Sequence, residues 1–179
     1  MPVQDFFAVP IYYSLPDEDD DMLSLMDEVD VALAQYPGKL TNPWDDSIFA
    51  SFSYDQPNDF LKDTPLLKEY IGKHIQKYMT EIGCRYQHFL LKESWMNLSV
   101  QYAYQNYHNH IADISGCFYV KTSGRDGNIK FKSDSTGLKN SRLLSGIKER
   151  GDVEHAPEPG KIVLFPSFLE HAVLQNMTP

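Results

Sequence analysis

The first part of the chain combines an aromatic cluster with a stretch of helical periodicity. Residues 5–13 are aromatic and β-branched and predict a strand, which Pro10 assigns to a sheet edge. From Pro16 an acidic run opens a predicted helix that Pro37-Gly38 ends. Apolar side chains recur within this helix at a spacing of three to four residues, which predicts one buried face. These side chains are Met22, Met26, Val29 and Leu33.

A second helix is predicted from Thr64, as its N-cap, to Gly83, with Pro65 at the first helical position. Its apolar side chains fall in two adjacent rows, so the helix should pack along a wide face. The first row is Leu67, Ile71, Ile75 and Met79, and the second is Leu66, Tyr70, Tyr78 and Ile82. His74 lies within this face, where we expect a packed histidine rather than a metal ligand.

After Cys84 the pattern changes to short β-branched and aromatic runs between turn residues, which predicts strands. The strands are expected at 89–104, 111–121, 127–132, 161–166 and 171–175. Two helices followed by such strands predict an α+β, mainly β fold, with helices packed on an antiparallel sandwich or barrel.

Two polar stretches rich in turn-forming residues, 38–60 and 133–159, predict irregular connections. The second stretch is long for a small domain, which is typical of a functional lid. We expect it to be mobile without substrate and to lie over the mouth of the barrel, with His155 exposed.

Composition narrows the class of protein. The chain has 179 residues, of which 42% are hydrophobic and 23% charged, so we expect one domain, 1–179, with a substantial core. The chain contains no run of about 18 apolar residues, so no transmembrane helix is predicted. The N-terminus does not resemble a secretory signal. Two cysteines are too few for a disulfide scaffold, so a cytoplasmic location is predicted.

The net charge of −9 is concentrated in one segment. Residues 17–30 contain eight acidic residues and no basic ones, whereas the rest of the chain has 16 basic and 17 acidic residues. Binding to a nucleic-acid backbone requires a basic surface, so a nucleic-acid partner is disfavoured. The DEDDD run lacks the central glycine and distant glutamate of a calcium loop, and we interpret it as a solvated helix start.

Three histidines are the main candidates for chemistry. His108 and His110 are separated by one residue, so in an extended strand their imidazoles project from the same face and can bind one metal ion. His171 follows the apolar strand at 161–166 and a turn. If that strand lies beside the first pair, three imidazoles converge on a site suited to Fe, Cu, Ni or Zn. Asp113 is an alternative carboxylate ligand, although a turn residue is its simpler interpretation.

Several motifs follow one another over residues 90–176. They are a Trp-x-Asn pair, an H-x-H segment that runs into S-G-x-x-Y, and an FPS-x-x-x-H strand. The residues are Trp95 and Asn97, His108 and His110 with Ser115-Gly116 and Tyr119, and Phe165-Pro166-Ser167 with His171. In this order they resemble the 2-oxoglutarate- and Fe(II)-dependent oxygenase superfamily, and most of all a branch of marine bacteria and tailed phages related to prolyl hydroxylases.

The resemblance implies a double-stranded β-helix, or jelly roll, over residues 89–179, supported by an N-terminal strand and helical layer over 1–88. It implies a dioxygenase that uses Fe(II) and 2-oxoglutarate to hydroxylate a protein side chain or a small molecule, and that is cytoplasmic, in the host cell if phage-encoded. In that superfamily H-x-D/E and a distal histidine hold the metal. Here His110 stands in the place of the carboxylate, so either three histidines bind the metal or Asp113 supplies the carboxylate.

The resemblance also assigns residues to 2-oxoglutarate. Asn97 precedes His108 by eleven residues, the spacing at which related oxygenases place an asparagine that binds the co-substrate, and Tyr119 would line the same cavity. Packing within the sheet is the alternative for both. The usual basic partner of the far carboxylate follows the distal histidine, on a last strand that we expect to be missing here. We therefore expect weak 2-oxoglutarate binding unless further C-terminal residues exist, or unless Lys121, Lys130 or Arg142 takes that role.

Two other functions stay open at the level of sequence. The H-x-H-x-x-D pattern with a distal histidine also resembles cupins, which implies a metal protein that works without 2-oxoglutarate. A non-catalytic β-sandwich used as an interaction module would not bind iron stoichiometrically. The substrate and the oligomeric state are not encoded in any motif of the chain.

Overall fold

The computed structural model of the chain describes residues 9–35, 40–44, 48–86, 88–133 and 151–178. These residues form two α-helices, a short 3₁₀ helix and nine strands. The helices are α1 (Met22–Leu33), α2 (Pro65–Glu81) and the 3₁₀ helix (Phe60–Lys62). The strands are β1 (Tyr12–Ser14), β2 (Ile48–Ala50), β3 (Asn97–Ser99), β4 (Gln105–His108), β5 (Ile114–Phe118), β6 (Ile129–Phe131), β7 (Val153–His155), β8 (Ile162–Pro166) and β9 (His171–Val173).

The strands form three antiparallel sheets, with the orders β1-β8-β5, β4-β9-β6-β7 and β2-β3. Alternate side chains of β8 point to two different cores. Ile162 and Leu164 pack with the helices, whereas Val163 and Phe165 pack with side chains of β6. The three-stranded sheet therefore lies between the helical layer and the four-stranded sheet, which explains why β8 is a continuous apolar run. The predicted helices on an antiparallel sandwich are confirmed.

The acidic run precedes α1 instead of forming its first turn, which corrects the predicted helix start. Asp21 is the N-cap, and its carboxylate accepts a hydrogen bond from the Ser24 amide at 3.1 Å. Asp20 accepts a hydrogen bond from Lys73 of α2 at 2.7 Å, and Asp17 lies 3.3 Å from the Lys77 ammonium. The run thus attaches the start of α1 to α2. The predicted stop at Pro37-Gly38 lies outside the described residues.

The N-terminus of α2 is capped by a residue from α1. Thr64 precedes the helix as predicted, but its hydroxyl donates to the Phe60 carbonyl at 3.3 Å instead of capping. The Glu28 carboxylate accepts hydrogen bonds from the amides of Leu66 (2.9 Å) and Leu67 (3.1 Å). An anion at this position satisfies free amides and complements the helix dipole.

Three short elements differ from the predictions. β2 lies within the stretch predicted to be irregular, and β7 within the second polar stretch, because strands of three residues are too short to show periodicity. In the stretch 89–104, only Asn97–Ser99 is a strand. The earlier part of this stretch is hydrogen-bonded to the 3₁₀ helix instead. The Ser94 carbonyl and hydroxyl accept hydrogen bonds from the Phe60 and Leu61 amides, each at 3.0 Å.

Of the predicted lid, residues 134–150 lie outside the described residues. The end of that segment is ordered within the sheet, since β7 pairs with β6. His155 is half-buried rather than exposed, because its ring packs 4.6 Å from that of Tyr13 and 6.1 Å from that of Phe131, between ring centroids. Among the described helices, none combines the length and apolar character needed to cross a membrane.

His74 is the packed histidine that the sequence predicted. It is fully buried, its Nδ1 is hydrogen-bonded to the Tyr12 hydroxyl at 2.7 Å, and its ring centroid lies 4.5 Å from that of Tyr70. Its Nε2 has no hydrogen-bond partner within the described part of the chain. Burial lowers the pKa of His74 below its usual value of 6.5, so the neutral imidazole is favoured in the folded protein.

This burial makes stability depend on pH. Because the folded-state pKa of His74 is depressed, its contribution is complete above about pH 6.5 and is lost as the pH falls towards the folded-state pKa. The slope is at most about 1.4 kcal/mol per pH unit for one proton. We expect the free energy of unfolding of His74→Gln to fall less than that of wild type between about pH 7 and about pH 5. Urea unfolding at both pH values checks this, and equal losses in both proteins would contradict it.

Candidate metal centre

Three imidazoles meet at one end of the four-stranded sheet. One ring nitrogen from each of His108, His110 and His171 lies within 4.8 Å of the others. The ring centroids are 4.3 Å apart for His108 and His171, 5.0 Å for His108 and His110, and 5.1 Å for His110 and His171. Nitrogens at this separation can reach one ion at metal–nitrogen distances of about 2.0–2.1 Å after small side-chain adjustments.

Strand pairing brings His108 and His171 together. They are directly opposite each other in the antiparallel pair of β4 and β9. Directly opposed residues project from the same face of a sheet, with closely spaced Cβ atoms. His110 lies two residues beyond the end of β4, and its amide donates a hydrogen bond to the Ser167 carbonyl at 3.0 Å. The third ring is therefore held by the turn between β8 and β9.

Two of the rings are oriented by backbone carbonyls. Nδ1 of His108 lies 2.8 Å from the Asn106 carbonyl, and Nδ1 of His171 lies 2.9 Å from the Leu169 carbonyl. A carbonyl oxygen only accepts hydrogen bonds, so each Nδ1 carries the proton and each Nε2 keeps its lone pair. This is the usual arrangement of a histidine that binds a metal.

The surroundings of His110 and His171 favour their neutral forms. His171 is 4% exposed and packs against Phe165 and Phe131, with ring centroids 4.6 and 6.0 Å away. Burial lowers the pKa of His171 to about 4, and burial together with the neighbouring His108 lowers the pKa of His110. Neutral imidazoles are the form that binds metal ions, so neither ring needs to lose a proton at neutral pH.

The alternative carboxylate ligand is not brought to the three rings. Asp113 is exposed, and its side chain is not part of the group of ligand atoms formed by the described histidine, cysteine, aspartate and glutamate residues. Its backbone carbonyl accepts a hydrogen bond from the Ser167 amide at 3.1 Å, as expected of a turn residue. This geometry favours three histidines over two histidines and Asp113.

The two residues predicted to bind 2-oxoglutarate occupy different environments. Tyr119 follows β5 and packs between the sheets, in the same apolar cluster as Phe131 and Phe165, the neighbours of His171. Burial raises the pKa of the Tyr119 hydroxyl and that of the Cys117 thiol, the latter to about 11. Asn97 is an exposed residue at the start of β3, opposite Ala50. Their roles remain predictions.

The three basic residues that the sequence offered as partners of the far carboxylate of 2-oxoglutarate are paired with other groups or lie outside the described residues. Lys121 is exposed, and its ammonium lies 2.6 Å from the Asp30 carboxylate. The Lys130 ammonium lies 3.2 Å from the carboxylate of Glu154. Arg142 lies outside the described residues.

A group of aromatic rings beside His110 was missed by sequence reasoning. The ring centroid of Trp95 lies 6.0 Å from that of His110, 5.4 Å from Phe52 and 6.5 Å from Trp44. Phe52 in turn contacts Tyr54 at 4.9 Å. Trp95 belongs to a recognised motif, but the other three come from the stretch predicted to be irregular. Both tryptophans of the chain thus lie near the candidate metal centre.

Comparison with known proteins agrees with this geometry. A family model described as "Putative 2OG-Fe(II) oxygenase" matches residues 93–179, which contain all three histidines. A crystal structure of a Pseudomonas putida prolyl-4-hydroxylase is similar with a TM-score of 0.57 and 13% identity, over 95% of this chain and 87% of that one. HygX from Streptomyces hygroscopicus, solved with nickel and 2-oxoglutarate, has a TM-score of 0.48 and 10% identity, over 86% and 74%. Among proteins with curated functions, none matches in sequence.

The structural similarity to the prolyl-4-hydroxylase confirms the predicted jelly roll. The family match covers the strands that carry the histidines, the turn that connects β8 to β9, and the Trp-x-Asn motif. The family match over residues 93–179 supports a member of the 2-oxoglutarate- and Fe(II)-dependent oxygenase superfamily, whose two cofactors the sequence predicted.

Proposed function

We propose that this oxygenase hydroxylates a protein side chain or a small molecule, with His108, His110 and His171 as the ligands of its iron. The observation that carries the proposal is the convergence of three ring nitrogens within 4.8 Å, two of them on rings oriented by backbone carbonyls. Three ligands leave positions open on a six-coordinate ion, as an oxygenase requires.

The residues present fit an Fe(II) ion. Imidazole is a good ligand for Fe(II), and the low pKa of His110 and His171 keeps both rings in the binding form. Bound iron would supply the redox chemistry with O₂, and 2-oxoglutarate would be the co-substrate that is oxidised and decarboxylated. Three neutral ligands leave both positive charges of the ion uncompensated by protein, which favours an anionic co-substrate at the open positions.

The chain's own residues would prepare the site in two ways. Phe131 and Phe165 line one side of His171 and Trp95 lies beside His110, so these rings limit the access of water to two of the three ligands. The Tyr119 phenol is protonated at neutral pH, and burial raises its pKa further, so it can donate a hydrogen bond to a carboxylate in the interior. Asn97, by contrast, is proposed to contact 2-oxoglutarate from its position in β3.

An anaerobic titration tests this function. Because both tryptophans lie near His110, one equivalent of Fe(II) should quench the intrinsic fluorescence. Adding 2-oxoglutarate to the iron-loaded protein should then produce a weak visible charge-transfer band. In Trp95→Phe, the remaining Trp44 serves as an independent reporter of the same binding event.

The outcomes separate the candidate functions. Stoichiometric iron binding without any response to 2-oxoglutarate would contradict the proposal and favour a cupin-type metal protein. No iron binding would favour a non-catalytic module. Mass spectrometry of candidate peptides and metabolites after aerobic turnover would then distinguish hydroxylation from other oxidations.

A further inference from the structure

We propose that Ser167 is a positioning residue, which holds His110 and the turn before His171 in one fixed arrangement. The inference rests on the proposed metal-binding function of the three histidines. Ser167 binds no metal itself and acts through the residues that would.

The backbone of Ser167 forms hydrogen bonds with both ends of the segment from His110 to Asp113. Its carbonyl accepts a hydrogen bond from the His110 amide at 3.0 Å, and its amide donates to the Asp113 carbonyl at 3.1 Å. His110 lies beyond the end of β4 and outside every described strand. These two hydrogen bonds therefore extend the sheet pairing to a ligand that strand pairing alone would leave unsupported.

The side chain of Ser167 connects this turn to β5. Ser167 is fully buried, and its hydroxyl lies 2.8 Å from the hydroxyl of Ser115 on β5. Ser115 pairs with Phe165 of the neighbouring strand β8, and Phe165 precedes Ser167 by two residues. The hydrogen bond between the hydroxyls thus joins β5 to the first residue after β8, where the chain turns towards β9.

The same turn orients the distal ligand. The Leu169 amide donates to the Pro166 carbonyl at 3.0 Å, which closes the turn, and the Leu169 carbonyl accepts from His171 Nδ1 at 2.9 Å. Residues 166–169 therefore set two of the three rings, His110 through Ser167 and His171 through Leu169. A shift of this turn would move both rings relative to His108, which is anchored independently through Asn106.

Metal sites are sensitive to such shifts. Loss of one outer hydrogen-bond partner of a ligand commonly weakens metal binding by about 10–100-fold. Because the buried Ser167 hydroxyl has Ser115 as its partner, removing either hydroxyl should loosen the same turn. This predicts that two serines on different strands have the same effect on one metal site.

The test is Co(II) binding by wild type, Ser167→Ala, Ser115→Ala and the double variant, followed by absorption spectroscopy. The backbone hydrogen bond between Ser167 and His110 remains in these variants, so we expect the lower end of this range. Each single variant should bind Co(II) about 10-fold more weakly with a changed spectrum, and the double variant should be no weaker than the worse single one. Ser99→Ala is the matched control, since the Ser99 hydroxyl is buried without a partner among the described residues. It should bind Co(II) as wild type does.

Three outcomes would overturn the inference, and they differ from one another. If wild type binds Co(II) and both single variants bind it equally tightly with an unchanged spectrum, Ser167 does not position the ligands. If wild type binds no metal, the proposed function fails together with this inference. Additive losses in the double variant would show that the two serines act separately, which also contradicts a shared role.

Discussion

Replacing His171 by alanine should abolish stoichiometric metal binding. The loss should exceed the roughly 10–100-fold decrease that follows removal of an outer hydrogen-bond partner, because a ligand itself is lost. His171 is nearly fully buried, so alanine also leaves a cavity beside Phe165. His171→Leu fills this apolar space without supplying a ligand and should lose the metal while keeping the fold. Equilibrium dialysis against Fe(II) without oxygen measures the loss directly.

A matched control exists for this experiment. His88 is an exposed histidine that is not part of the three-histidine group, so His88→Ala should bind Fe(II) as wild type does. Thermal melts of the metal-free proteins show whether each variant is folded. Wild-type iron binding by a folded His171→Leu would show that this ring is not a ligand.

Gly127→Ala should be the most destabilising small substitution in the sheet region. Gly127 has a φ of +89°, which strains any L-amino acid. A Cβ here would overlap the Leu174 carbonyl oxygen and lie 2.8 Å from the Leu174 carbonyl carbon. Both contacts are to backbone and cannot be relieved by a side-chain rotation. The strain of about 1–2 kcal/mol and an overpacking cost of about 1–3 kcal/mol together predict a loss of about 2–5 kcal/mol.

Gly124→Ala separates these two contributions. Gly124 has a similar φ of +83°, but a Cβ added there would meet no atom within 4 Å. The variant should therefore lose only the conformational part, about 1–2 kcal/mol. Urea unfolding of both variants gives the difference, which measures the close approach of residue 127 to Leu174, directly after β9. Equal losses in the two variants would show that this contact is not rigid.

The elements that sequence predicted well are those with strong local signals. The helix α2 has proline at its first position and glycine just after its end, and β8 is a continuous apolar run. The H-x-H spacing and the context of His171 also identified the three rings. What no local pattern contains is the register that places His108 opposite His171, since this depends on residues far apart in sequence.

Other features escaped prediction because they join distant segments. The Glu28 carboxylate caps α2 by accepting a hydrogen bond from an amide 38 residues later in the chain. The sequence predicted the neighbouring Thr64 as the cap instead. The ring group around Trp95 draws Phe52 and Trp44 from a polar stretch with no recognisable period. The half-buried state of His155 depends on Tyr13, from the other end of the chain. Local propensity cannot encode such contacts, whereas tertiary packing overrides it.

The two-sided packing of β8 has a consequence for how this protein can evolve. Ile162 and Leu164 face the helices while Val163 and Phe165 face the interior that leads to His171. A change in the size of a helix residue that pressed on Leu164 would be transmitted along the strand to the turn that carries the ligands. The helical layer and the half that contains the three histidines should therefore change together, although no described helix residue belongs to the candidate metal centre.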